Sequence, residues 1–119
     1  MEEIWVDIKG YEGSYQVSNI GNVRSVERKI KQLNQWGGYN YTTYPERVLR
    51  LSPHSQKKYQ RVSIREKANI KRLLVHRLVA ETFVPNPNGF QFVNHIDSDL
   101  TNNKATNLEW IKHPKTQDV

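Results

Sequence analysis

The sequence contains no cysteine, and this absence excludes several kinds of protein at once. Without thiols the chain can form neither a disulfide scaffold nor a thiolate zinc site, and it has no cysteine nucleophile. It also lacks any apolar run near the roughly 20 residues needed to span a bilayer. Its first residues are acidic, unlike the basic-then-apolar order of a signal peptide. We therefore expect a cytoplasmic, intracellular protein that folds as one small unit and binds no membrane.

Acidic residues are scarce in the middle of the chain, so the distribution of charge is more informative about a binding partner than the total charge of +6. Residues 24–80 hold fourteen Lys and Arg but only three acids, a net charge of +11. Residues 1–23 and 81–119 carry −3 and −2. A basic stretch with interleaved tyrosines is typical of a surface that binds nucleic acid. The wet face of a small sheet would carry similar charge, so charge alone leaves both interpretations open.

If the basic stretch does bind nucleic acid, its cations follow the phosphates and its tyrosines line the same groove. The predicted contact residues are Arg24, Arg28, Lys29, Arg47, Arg50, Lys57, Lys58, Arg61, Arg65, Lys71, Arg72, His76 and Arg77, with Tyr39, Tyr41, Tyr44 and Tyr59 beside them.

Short alternating segments separated by turns predict a β-rich first half. Glycines at residues 10 and 13 supply turn conformations that other residues rarely adopt. Residues 31–46 contain two glycines, a proline and several aromatics, and predict an extended loop that serves as a contact surface. The predicted strands are 4–8, 15–18 and 23–26 in a first meander, then 59–64 and 70–75 in a second hairpin with basic side chains facing outward.

The hydrophobic period then changes from that of a strand to that of a helix. Leu78, Val79, Thr82 and Phe83 fall at helical spacing, and the turn at residues 85–89 ends this helix. Two strands joined by a polar loop follow, and Pro114 stands where a closing helix would begin. The predicted strands are 90–95 and 108–111, and together with the closing helix they outline a ββα-metal fold.

Several segments, taken in order, resemble the HNH homing endonucleases of phages and mobile introns. The matching segments are residues 75–87, Val93-Asn94-His95-Ile96-Asp97, Thr101-Asn102-Asn103 and Asn107-Leu108-Glu109-Trp110. Residues 4–5 and 10–25 further resemble an N-terminal module that often accompanies these nucleases. The resemblance implies an α+β fold: a small N-terminal β-rich module over 1–30, a basic and aromatic region over 31–58, and a nuclease domain over 59–119 whose ββα-metal motif begins near residue 90.

The resemblance also implies a function, hydrolysis of phosphodiester bonds in double-stranded DNA, and a site. His95 would be the general base, and Asn107 would orient its ring through the side-chain carbonyl. Asn94 would hold a divalent metal, Mg²⁺ or alternatively Mn²⁺, at a position where the family often has aspartate. Asp118 would substitute for the family's last ligand, expected near residue 116. No obligate protein partner is implied, and the cell would be a bacterial host of a phage or mobile element.

Simpler interpretations remain for several of these residues. His76 is more typical of a hydrogen-bonded structural histidine or a phosphate contact than of a catalyst. Asn102 and Asn103 would shape the polar loop through Asx turns, and Asp97 would either brace this loop or lie behind the metal ligands and orient them. The alternative for the whole chain is a DNA-binding protein that keeps the HNH fold but has lost catalysis.

Overall fold

The computed structural model describes residues 2–54, 59–66 and 69–114. Eleven strands lie in these ranges, together with one α-helix and one 3₁₀ helix, in agreement with the predicted α+β class. The elements are β1 (Trp5–Asp7), β2 (Tyr15–Ser18), β3 (Val23–Ser25), β4 (Arg28–Leu33), β5 (Tyr39–Tyr44), β6 (Arg47–Val48), β7 (Ser52–His54), β8 (Tyr59–Glu66), β9 (Asn69–Leu74), α1 (Val75–Phe83), β10 (Phe92–His95), the 3₁₀ helix Ala105–Asn107 and β11 (Leu108–Ile111).

The first sheet has the strand order β1-β2-β3-β6, with antiparallel pairing throughout. Its β2–β3 turn depends on Ser18, a fully buried residue whose hydroxyl accepts the backbone N–H groups of Ile20 and Asn22. Asn19 continues the turn by accepting the Ile4 N–H at 2.7 Å, which fastens the N-terminal segment to it. These side chains satisfy backbone groups that no neighbouring strand reaches.

Residues 31–46 were predicted to form a loop, and this prediction is wrong. Strands β4 and β5 pair from Arg28 with Tyr44 to Leu33 with Tyr39, and Asn34 closes the turn by accepting the Trp36 and Gly38 N–H groups. β-Branched and aromatic residues favour strand geometry even where no core lies beneath them. The paired strands form a two-stranded arm that belongs to no larger sheet.

One face of this arm is exposed over its whole length. Residues directly opposite in an antiparallel pair share a face, so Lys29, Lys31 and Leu33 lie on the same side as Tyr39 and Tyr41, and all five are exposed. The Lys31 ammonium lies 3.9 Å from the centre of the Tyr39 ring. The opposite face is partly covered near the base of the arm.

The core is shared between the first half and the second half of the chain. Sheet β7-β8-β9 contributes Val62 and Ile64, the first sheet contributes Val17 and Val23, and β11 contributes Leu108, all buried. Helix α1 packs on this group through Val75, Leu78, Val79 and Ala80. Burial of each large aliphatic side chain contributes about 1.5–3 kcal/mol, so this cluster provides the main stabilisation of the fold.

The two halves also meet through a glycine that allows a close backbone approach. Gly21 has a φ of +97°, and a Cβ at this position would lie 3.0 Å from the Asn103 Cβ. Beside it, the Asn19 carbonyl accepts the Ala105 N–H at 2.8 Å. The β2–β3 turn therefore supports the segment that follows the polar loop.

Strands β10 and β11 pair antiparallel, as the resemblance implies, and the polar loop between them ends in the 3₁₀ helix. The closing helix predicted from Pro114 falls on residues outside the described ranges. In the part of the chain that the structure describes, no helix has the length and apolar character needed to cross a membrane.

We expect Gly21→Ala to destabilise the protein more than Gly13→Ala does. Both glycines have positive φ, which costs an L-residue about 1–2 kcal/mol. A methyl group at residue 13 meets nothing within 4 Å, whereas one at residue 21 overlaps Asn103 and should add about 1–3 kcal/mol. Urea unfolding of both variants measures the difference, and equal losses would show that the approach of Gly21 to Asn103 is not tight.

Candidate active site

The candidate site lies on β10, where two polar residues are buried side by side. Asn94 and His95 are 2% and 1% exposed, and they pair with Glu109 and Leu108 on β11. Burial of polar side chains is unfavourable unless their hydrogen bonds are satisfied, so their partners indicate what the site is built to do.

The His95 ring is held by Asn103. Its Nε2 lies 2.8 Å from the Asn103 carbonyl oxygen, and Asn103 is itself buried. A carbonyl oxygen can only accept, so Nε2 carries the proton and Nδ1 keeps its lone pair in the neutral ring. This tautomer is the one that a general base acting through Nδ1 requires.

Asn107 does not hold the ring, and the predicted contact between them is corrected. The Asn107 carbonyl accepts the Asp97 N–H at 3.1 Å, and its amide donates to the Asp97 carboxylate and to the Asn102 carbonyl, each at 2.9 Å. Its backbone carbonyl accepts the Ile96 N–H. Asn107 therefore fixes both ends of the polar loop, and it acts on His95 through the loop that carries Asn103.

The two loop carboxylates are fixed by hydrogen bonds. The Asn102 amide, the Asp99 N–H and the Asn107 amide lower the pKa of Asp97, because they stabilise its charged form. The hydroxyl and backbone N–H of Thr101 lower the pKa of Asp99 in the same way. Asp97 thus braces the loop, as predicted, while Asn103 has a role that the loop-shaping interpretation did not assign.

His76 packs against the other side of His95. The two ring centres are 5.1 Å apart, and His76 stacks on Tyr59 at 4.8 Å. Burial, followed by the nearby charges of His95 and Arg77, lowers the pKa of His76 to about 3. No described residue forms a hydrogen bond with its buried Nδ1. His76 is only 6% exposed, so the predicted DNA contact by His76 is corrected to a structural position beside the His95 ring.

Asn94 has one satisfied and one unsatisfied end. Its amide donates to the Glu109 carboxylate at 2.7 Å, whereas its carbonyl oxygen is buried and finds no hydrogen-bond partner within the described ranges. An amide oxygen is a hard donor suited to Mg²⁺, which is usually bound through one or two protein oxygens with water and phosphate as further ligands. The donor set therefore fits a divalent ion. Asp118 falls outside the described ranges, and within those ranges no three His, Cys, Asp or Glu residues cluster as metal ligands.

Six of the eleven predicted DNA-contact residues that the structure describes are exposed, whereas Arg28 and Arg61 are half-buried. Arg47, Arg50 and Arg65 are exposed, as are Lys29, Lys71 and Arg72. Two others also have partners within the fold: Arg24 lies 3.4 Å from Glu46 and 4.2 Å from the centre of the Trp5 ring, and Arg77 lies 3.6 Å from Glu81. Lys57 and Lys58 fall outside the described residues.

Comparison with known proteins identifies the family to which this chain belongs. Residues 3–65 match the NUMOD4 motif, which is more than half of the chain. The chain belongs to the NUMOD4 family. It is 34% identical over 109 residues to DNA endonuclease I-HmuI of Bacillus phage SP01, and 36% identical over 115 residues to an uncharacterized HNH endonuclease of Acanthamoeba polyphaga mimivirus.

The structure agrees with the sequence relatives. It superposes on the solved structure of the HNH homing endonuclease I-HmuI with a TM-score of 0.67 and 36% identity over 93% of this chain. The resemblance to HNH homing endonucleases, and the fold that it implies, are thereby confirmed. The chain spans 51% of phage I-HmuI, 24% of the mimivirus relative and 52% of the superposed chain. The division into 1–30, 31–58 and 59–119 stays a prediction.

Sequence reasoning missed Asn103 as the partner of His95. Asn102, Asn103 and Asn107 all lie within reach in sequence, and nothing in their spacing shows which carbonyl meets the ring. The signal lies in the fold, because Gly21 and Asn19 fix the backbone at Asn103 and Ala105.

We expect the buried His76 to make stability fall as the pH falls. The unfolded histidine takes up a proton below about 6.5, whereas folded His76 stays neutral down to about 3. Acidification through this window therefore favours the unfolded chain, by up to about 1.4 kcal/mol per pH unit for one proton. His76→Phe should flatten the slope of unfolding free energy against pH, and His113→Phe, at an exposed position, should not. Parallel slopes for wild type and His76→Phe would rule out this linkage.

Proposed function

We propose that this chain is an HNH endonuclease that hydrolyses phosphodiester bonds in double-stranded DNA, with His95 as general base and a divalent metal as cofactor. The observation that supports this most is the pairing of His95 Nε2 with Asn103, beside a buried Asn94 carbonyl oxygen that has no hydrogen-bond partner in the described part of the chain. The family and the relatives support the reaction class.

In this mechanism His95 Nδ1 takes a proton from the attacking water. The Asn103 carbonyl keeps Nε2 protonated and stabilises the imidazolium that forms, so Asn103 is a positioning residue. Asn107 holds the polar loop that carries Asn103, and it is a positioning residue as well. Neutral His76 packs on the ring without adding a second positive charge next to the imidazolium.

Asn94 would hold the metal through its carbonyl oxygen, with Mg²⁺ or Mn²⁺ the expected ion. When bound, such an ion stabilises the negative charge that develops on the phosphate and the leaving oxygen. Asn94 is neutral, and the nearest negative charge is the Glu109 carboxylate that accepts its amide N–H. The remaining family ligand, which the sequence places at Asp118, stays a prediction.

The basic surface would bind the DNA backbone and the arm would extend that surface. Lys29 and Lys31 alternate with tyrosines on the exposed face of β4–β5, and the tip carries Trp36, which is 82% exposed. Two-stranded ribbons of this kind fit a DNA groove, where lysines meet phosphates and aromatic side chains contact sugars and bases. Duplex DNA is the partner that this chemistry favours.

We expect His95→Ala to abolish nicking while the affinity for DNA changes by no more than a few-fold. The imidazole acts on the transition state, so its removal lowers turnover rather than ground-state binding. Relaxation of supercoiled plasmid with Mg²⁺ measures the first effect, and a gel-shift titration in EDTA measures the second. His113→Ala, at an exposed histidine, is the matched control. Unchanged cleavage by His95→Ala would contradict the assignment, and a wild type that binds without cleaving would favour the catalytically degenerate alternative.

We expect the charge at residue 94 to set the metal requirement. Asn94→Ala removes the ligand oxygen, so it should lose metal-dependent activity. Asn94→Asp adds a carboxylate but places it against Glu109, with which Asn94 now shares a 2.7 Å hydrogen bond. Asn94→Asp combined with Glu109→Gln restores a donor and an acceptor to this pair, so it should bind Mn²⁺ more tightly than wild type.

Calorimetric titration with Mn²⁺ reports metal binding without depending on activity, and plasmid nicking over a metal series reports its use. Identical titrations for wild type, Asn94→Ala and the double variant would remove Asn94 from the metal site.

A further inference from the structure

A cleft lies where the arm meets the core, away from His95. Its volume is about 590 Å³, and it lies between the base of β4–β5, strand β6 and strand β8. Three arginines line it, Arg28, Arg47 and Arg65, with Ser25 and Ser63 among their neighbours. Each arginine comes from a different strand, so only the folded chain brings them together.

The positive charge in this cleft is not neutralised by the residues around it. No acidic side chain lines the cleft among the described residues. Glu46 is close in sequence, but it lies 3.4 Å from Arg24 on the first sheet. Three guanidinium groups without a carboxylate create a local potential that attracts an anion.

Arg28 carries the strongest sign that an acceptor belongs here. Its NH1 nitrogen is buried and has no hydrogen-bond partner among the residues that the structure describes. The guanidinium lies 5.7 Å from the centre of the Tyr15 ring and 5.5 Å from that of Tyr44, so aromatic faces hold it in place. A buried charged donor without an acceptor is costly, and a phosphate oxygen would satisfy it.

The walls of the cleft are held together by side-chain hydrogen bonds to the backbone and by strand pairing. The Tyr15 hydroxyl accepts the Arg65 N–H and donates to the Arg65 carbonyl, both at 3.0 Å. Ser25 lies opposite Arg47 in the β3–β6 pairing. The backbone positions that carry Arg47 and Arg65 are therefore fixed relative to the first sheet, which favours a site formed before the ligand arrives.

We propose that this cleft binds one phosphate group of the DNA backbone. The proposal rests on the proposed function insofar as it takes duplex DNA as the polyanion. Arginine forks match the geometry of phosphate oxygens, and serine hydroxyls add neutral donors. The cleft also joins the covered face of the arm to the core, so a phosphate bound there would fix the arm against the duplex.

The test is the salt dependence of binding to a random 30-base-pair duplex, measured in EDTA so that cleavage plays no part. Each neutralised phosphate contributes about −0.9 to the slope of log K against log salt. If the three arginines share one phosphate, Arg28→Gln should flatten the slope by no more than about 0.9. The triple variant, which also carries Arg47→Gln and Arg65→Gln, should flatten it by about 0.9 in total. Lys9→Gln, an exposed cation outside the cleft, should leave the slope unchanged.

A flattening by about 2.7 in the triple variant would mean three separate phosphates and would overturn the shared site. An unchanged slope would overturn it as well. Arg28→Lys, which keeps the charge but loses the fork, should retain the slope with weaker binding, and it replaces Arg28→Gln if that variant fails to fold. Calorimetry with inorganic phosphate tells a DNA phosphate from a free phosphate as the ligand. If free phosphate binds tightly and the triple variant leaves the affinity for DNA unchanged, the cleft binds a small molecule, and the proposal is overturned.

These outcomes separate the cleft from the nuclease function. A wild type that binds the duplex while the triple variant shows the same slope overturns the cleft alone. A wild type that does not bind DNA overturns both.

Discussion

The contact between the β2–β3 turn and the segment at Asn103 is the constraint on which the rest of the site depends. Gly21 approaches Asn103 closely because it lacks a Cβ, and the Asn19 carbonyl fixes the Ala105 backbone at 2.8 Å. Asn103 in turn binds the His95 ring. The N-terminal sheet therefore acts as a structural support for the histidine, and the tautomer of His95 is decided partly by a turn more than 70 residues earlier in the chain.

The hydrophobic periodicity of the sequence correctly predicted those strands and the helix that bury one face in the core. The strand at residues 15–18 alternates because its odd positions face the core, and helix α1 shows its apolar spacing because one side packs on Val62 and Ile64. The strands of the arm were not predicted in this way because neither face of the arm packs in the hydrophobic core. Its strands are stabilised by pairing with each other, and cross-strand pairing leaves no hydrophobic period in the sequence.

In the candidate site, too, the sequence identified the residues, whereas only the tertiary structure revealed the contacts between them. The resemblance identified His95, Asn94 and Asn107, which are all buried in the structure. It could not assign the hydrogen bonds, because the three asparagines of the loop are chemically equivalent and only the tertiary fold separates them. The Asn107 side chain stabilises the polar loop through three hydrogen bonds, whereas the Asn103 side chain forms the hydrogen bond with the His95 ring. The burial of His76, by contrast, follows from its place on the face of helix α1 that packs on the core.

The distribution of charge follows from these separate roles. His95 is buried beside Asn94, Asn103 and the uncharged His76, and the carboxylates of Asp97 and Asp99 on the polar loop interact with it electrostatically. The cations proposed to bind DNA lie mainly on β4–β9, and hydration lowers the cost of charge for those that are exposed. Under the proposed function, DNA affinity would lie on the β-rich half and the chemistry on the buried β10–β11 pair, so that a change in one region need not weaken the other.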